Sequence, residues 1–96
     1  MKSICVIGSL NVDVFMTADH FPRAGENVVA HDSRIFTGGG KGAKQAFALG
    51  RLGADVSIVG KIGEEFYGPR YLDVMRETHV NCDLVGIEPG FPGVGI

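Results

Sequence analysis

Two groups of residues have the chemistry to hold a polar ligand. The first is the stretch Thr37–Ala46, "TGGGKGAKQA", where three consecutive glycines, Gly38, Gly39 and Gly40, precede Lys41, Gly42 and Lys44 at the entrance to a helical pattern. Glycine loses more backbone freedom on folding than any other residue. Lysine at a helix start opposes the helix dipole, which favours negative charge there. Both features cost stability, and a bound ligand rich in oxygen atoms would offset them. Glycines let backbone N–H groups approach such a ligand closely, the first turn of a helix has unpaired donors, and Lys41 and Lys44 add positive charge. The expected occupants are sugar hydroxyls, a carboxylate or a phosphate; a tight strand-to-helix turn with solvated lysines would need only one glycine. The second group is Asn11 and Asp13, two residues apart on an alternating stretch and so on the same strand face. An amide and a carboxylate together donate to and accept from neighbouring hydroxyls, as the vicinal diol of a sugar requires. Alone, such a pair reads as an exposed polar strand face; beside the glycine-lysine stretch it reads as ligand contacts.

Two better-known glycine motifs do not fit. A Walker A loop starting at Gly38 requires glycine at 43 and a hydroxyl at 45, but the chain has Ala43 and Gln45. The dinucleotide fingerprint in its G-x-G-x-x-A form matches Gly38, Gly40 and Ala43, but it should follow the first core strand with an acidic residue about twenty positions on. The first apolar run instead ends at Gly8, and Glu64 comes after a different strand. A dinucleotide-binding oxidoreductase fragment is therefore an alternative reading.

The elements that position these groups follow from periodicity. "SICVIG" (3–8) reads as a buried strand, and "SLNVDVFMT" alternates, with Leu10, Val12 and Val14 opposite Asn11, Asp13 and Phe15. "DHFPRAGEN" is a turn region, and "VVAHDSRIFT" is a second extended stretch of edge or lid character. A helix is predicted over 42–52, with Ala43, Ala46, Phe47, Leu49 and Leu52 at helical spacing and Gly53 as its stop. "DVSIVGKIG" is a strand, and "EFYGPRYLDVMRETHV" is a second helix with Pro69 in its first turn and Leu72 and Met75 on its buried stripe. The last segment begins as a strand, turns at Pro89-Gly90 and starts another near Val94. This alternation predicts an α/β fold with a parallel sheet.

Composition narrows the function classes. A net charge of −2 and a pI near 5.8 leave no basic footprint for nucleic acid or an anionic membrane. No run approaches membrane-spanning length, and the start of the chain is too short and too polar for a signal-peptide core. Cys5 and Cys82 lie far apart with no C-x-x-C spacing, as expected of two reduced thiols in a cytoplasmic protein.

Taken together, "GSLNVDVF", "PRAGENVVA" and "GGGKGAKQAFALGRLGADVSIVGKIGEE" resemble the N-terminal third of ribokinase-like carbohydrate kinases, the pfkB family, with similarity over almost the whole chain. The resemblance implies a ribokinase-like α/β domain whose sugar site uses Asn11, Asp13 and the Gly39-Gly40-Lys41 backbone. It implies lid strands at about 14–17 and 28–37 that close over the sugar and often form a homodimer contact. It implies γ-phosphoryl transfer from ATP, with Mg²⁺, to a hydroxyl of a ribose-like or related sugar. Lys44 stands where the family usually has a sugar-contacting asparagine; a lysine there would meet an acidic substrate or impair sugar binding. The family's catalytic aspartate, in a Gly-Ala-Gly-Asp motif, and its nucleotide site belong to a C-terminal half that these residues do not include. The chain is therefore expected to be an N-terminal kinase fragment that holds substrate through Asp13 but has no catalytic residue or metal ligand of its own. A truncated, non-catalytic sugar-binding relic is the other reading.

Overall fold

The computed structural model describes residues 2–96. The first apolar run forms β1 (Ser3–Ile7), and the alternating stretch forms β2 (Asn11–Thr17). β3 (Asp32–Gly39) returns along β2, and the glycines lead into α1 (Lys41–Arg51). β4 (Asp55–Gly63), α2 (Gly68–Glu77), β5 (Val80–Asn81), β6 (Val85–Glu88) and β7 (Gly93–Gly95) complete the order.

Two sheets result. In the first, β4 pairs in parallel with β1, β5 and β6, with Ser3 opposite Asp55 and Gly60 opposite Val85. Parallel neighbours need crossover connections, and α1 and α2 supply them. In the second, β2 lies between β3, antiparallel to it, and β7, parallel to it. The expected parallel-sheet α/β architecture is present, with a β-ribbon built from the far part of β2 and the near part of β3.

The core lies between the first sheet and the two helices. Val12, Val56, Ile58, Tyr71 and Met75 are its largest fully buried side chains, joined by Leu10, Ala43, Ala46, Ile62 and Leu72. Burial of each large apolar side chain contributes roughly 1.5–3 kcal/mol. α1 has Gly40 at its N-cap and no side-chain cap, so the chain supplies one from elsewhere: the Ala43 N–H donates to the Ser9 carbonyl of the β1–β2 turn at 3.1 Å. At its other end Gly53 adopts φ +84°, the left-handed stop expected from its sequence position.

Two expectations need correction. Of β1, only Val6 is buried; Ile7 is 80% exposed, because β1 pairs on one side only among the described residues. The lid strand begins at Asp32, not Val28: Val29 is 81% exposed, and residues 28–31 have no ladder partner apart from the His31 N–H bonded to the Thr17 carbonyl.

Candidate functional site

β2 brings Asn11 and Asp13 to the root of the ribbon, both half-buried, where Asn11 pairs with Gly39. The ladder shifts register between them, since Asp13 pairs with Phe36 rather than Thr37. This bulge bends β3 toward the helix start. The glycines are required by side chains and backbone that occupy their missing Cβ positions. A Cβ on Gly39 would lie 2.6–2.7 Å from the Asp13 carboxylate, and one on Gly40, whose φ is +99°, would lie 2.4 Å from the Ser9 carbonyl oxygen. Gly42 passes Gly8 so closely that a Cβ would come within 2.6 Å of its Cα.

The structure thus gathers Asn11, Asp13, Gly39 and Gly40, with Lys41 exposed immediately after them as the first residue of α1. It places Lys44 elsewhere. Its side chain is exposed and lines a hollow of about 290 Å³ with Phe36, Thr37, Gly38, Phe47, Ala48, Arg51 and Val74. The expected free donors of the helix start are fewer by one, because the Ala43 N–H donates to the Ser9 carbonyl; the Lys44 N–H makes the ordinary first helical bond to the Gly40 carbonyl. A larger hollow, about 730 Å³, runs beside the ribbon tip among Met16, Phe21, Val28 and Ile96, away from the Asn11–Asp13 pair.

Sequence reasoning missed two contributors. Gly93 and Gly95 of β7 lie opposite Asn11 and Asp13, and Cβ atoms there would lie 2.4 Å and 2.8 Å from their side-chain oxygens. Their spacing of two on one strand face is the signal that could have marked them. The second is Tyr71 of α2, fully buried, whose hydroxyl donates to the Gly39 carbonyl. Burial above all raises this phenol's pKa above the ordinary tyrosine value; a backbone hydrogen bond from Asn11 opposes the rise and the Asp13 charge adds to it. Its hydroxyl therefore stays protonated. Among the described residues no cluster of three or more His, Cys, Asp or Glu side chains could hold a metal ion.

This arrangement can bind hydroxyls through an amide, a carboxylate and close backbone. The model of the pfkB family of carbohydrate kinases matches residues 1–92. The chain belongs to that family. Ribokinase from Bacillus subtilis is 45% identical over 85 residues, covering 88% of this chain and 29% of that protein. The crystal structure of ribokinase from Cryptococcus neoformans in complex with ADP is 32% identical and superposes with a TM-score of 0.80, covering 98% of this chain and 29% of its own. Ribokinase from Thermotoga maritima superposes with a TM-score of 0.84 at 27% identity, covering 94% and 30%. The chain therefore spans under a third of the length of these pfkB relatives. The fold expected of the family is the fold observed.

Proposed function

We propose that this chain forms the sugar-holding part of an ATP-dependent sugar kinase that transfers the γ-phosphoryl group to a hydroxyl of ribose or a related sugar. The observation that carries the reading is the convergence of Asn11 and Asp13 on Gly39 and Gly40, whose absent Cβ atoms let the Asp13 carboxylate and the Ser9 carbonyl pack directly against that backbone. Asn11 and Asp13 bond neighbouring sugar hydroxyls, and Lys41 closes one side of the pocket with positive charge. Lys44 is the residue that departs from this arrangement, since its side chain lines the neighbouring hollow. Asp13 binds substrate and is not the base. Positioning a hydroxyl and excluding water is a large part of phosphoryl transfer, which offers little covalent chemistry to the protein.

ATP is the proposed donor, supported by the family and by the ADP in the Cryptococcus ribokinase. Among the described residues no cluster of three or more His, Cys, Asp or Glu side chains offers a donor set for Mg²⁺, and no step at the metal or the nucleotide is assigned to this chain. Residues 14–17 and Asp32–Phe36 act as the lid; exposed Phe15, Met16, Ile35 and Phe36 on it would supply a homodimer contact. Cytoplasmic residence belongs to the same proposal, consistent with the absence of a helix long and apolar enough to cross a membrane among the described residues.

The test is ADP release by a full-length kinase that carries these residues as its N-terminal part, with ATP, Mg²⁺ and a panel of pentoses and hexoses. D-ribose-dependent turnover is expected. Sugar-dependent thermal protection with no turnover would leave a sugar-binding module, and binding of NAD in place of sugar would overturn the reading.

A further inference from the structure

Tyr71 occupies a position that the binding chemistry does not use. It projects from α2 into the core, is fully buried, and has its ring 6.4 Å from that of Phe47 on α1. A phenylalanine would fill the same space without taking a hydroxyl out of water. What the hydroxyl adds is a bond to backbone: it donates to the Gly39 carbonyl, with the Asn11 backbone N–H close enough to oppose the rise in its pKa. These two residues are ladder partners at the last position before the register shifts. A bulge disrupts the ladder locally and leaves a residue unpaired, so a bond from outside the sheet adds restraint there. Tyr71 reaches this point from α2, which packs against β3 and belongs to neither strand.

We propose that Tyr71 is a positioning residue of the sugar pocket. By holding the Gly39 carbonyl and the Asn11 backbone together, it sets the distance between the Asp13 carboxylate and the Gly39-Gly40 backbone, and through it the affinity for sugar. Tyr71 itself touches no substrate. The inference rests on the reading of this pocket as a sugar site.

The experiment is isothermal titration of D-ribose, without nucleotide, into the full chain and its Tyr71→Phe variant, with hydrogen exchange of the Asn11 amide followed in the same samples. The expected result is affinity lower by about tenfold, the effect of losing one well-placed buried hydrogen bond. Asn11 exchange should also accelerate while the amides of β4 keep their protection. A purely structural role would lower the melting temperature and leave the affinity of the folded protein unchanged; that result, or unaltered Asn11 exchange, overturns the proposal. If the native chain gives no heat with D-ribose, the sugar reading fails for that sugar, and Asn11 exchange alone decides the role of Tyr71. If Tyr71→Phe does not fold, the native protein decides it by NMR. A slowly exchanging Tyr71 hydroxyl proton with a cross-peak to the Asn11 amide supports the clasp, and its absence sinks it.

Discussion

The two ends of β2 (Asn11–Thr17) are held in place differently. At its root Val12 is fully buried, flanked by Leu10 and packed with the core, and Gly39, Gly40 and Gly93 are pressed against the Asp13 carboxylate, the Ser9 backbone and the Asn11 amide. Toward its tip Phe15 is 53% exposed, its ring meets Phe36 edge-on at 6.1 Å, and the ribbon is otherwise held by backbone pairing and surface contacts such as His31 to Asp19. The loop glycine Gly25 has φ +76° with nothing within 4 Å of its Cβ position. A strand anchored at one end and largely exposed at the other suits the proposed lid: the root would fix the proposed ligand groups, and the tip could move at little cost. Asn11 and Asp13 lie where the two regimes meet.

The sharpest way to break this contrast is to add one methyl at each end. Gly40→Ala places a Cβ against the Ser9 carbonyl at a positive φ, so both strain and overlap oppose it, and a loss of about 4 kcal/mol is expected by urea denaturation. Gly25→Ala should cost about 1 kcal/mol, since only its φ is unfavourable. Equal losses would mean that the root is no tighter than the tip.

Truncation gives the next largest difference. Met75→Ala removes a fully buried side chain and should cost about 3 kcal/mol. Phe15→Ala should cost less than about 1 kcal/mol, because much of the ring is already in water. A Phe15→Ala loss matching that of Met75→Ala would place the ribbon in the cooperative core.

Alkaline titration sharpens the comparison further. The folded-state pKa of Tyr71 is raised, so above the ordinary tyrosine value near 10 the unfolded chain loses a proton that the folded chain keeps. Stability should then fall as pH rises, by about 1.4 kcal/mol per unit, and Tyr71→Phe should remove that slope. A slope unchanged in the variant would contradict the buried, protonated phenol. The smallest effect concerns Lys44. Lys44→Asn should change D-ribose affinity less than about twofold, because Lys44 is exposed and lines the hollow it shares with Phe36 and Arg51. A change of about fivefold or more, in either direction, would bring residue 44 into the pocket.

Much of this layout is legible from local pattern. β4 spans the residues that its β-branched run marks, and α1 starts one residue before and ends one residue before the periodic stretch, within the fraying expected of helix ends. Pattern fails where pairing is non-local. Ile4 and Ile7 are as apolar as core residues, but burial depends on what lies beside the strand, and β1 has a neighbour on one side only among the described residues. Val28 and Val29 favour a strand by propensity yet have no ladder partner. Tyr71 looks like one more member of a helical stripe; its contact with Gly39 joins residues far apart in sequence, and no spacing within α2 encodes it. The Asn11–Asp13 pair was readable because period two alone puts both side chains on one face.

The parallel pairing of β2 with β7 bears on the order of assembly. Asn11 meets Gly93 and Asp13 meets Gly95, contacts that span most of the chain, whereas β2 and β3 are joined through a single loop. Long-range closure is slow, and parallel pairing cannot begin until the second strand exists. On a ribosome, the ribbon and α1 can therefore form while the Asn11 and Asp13 side chains still lack one wall. The proposed sugar pocket gains this wall only when the Gly93–Gly95 strand emerges and docks, so under that reading a nascent chain should show no sugar affinity before that step.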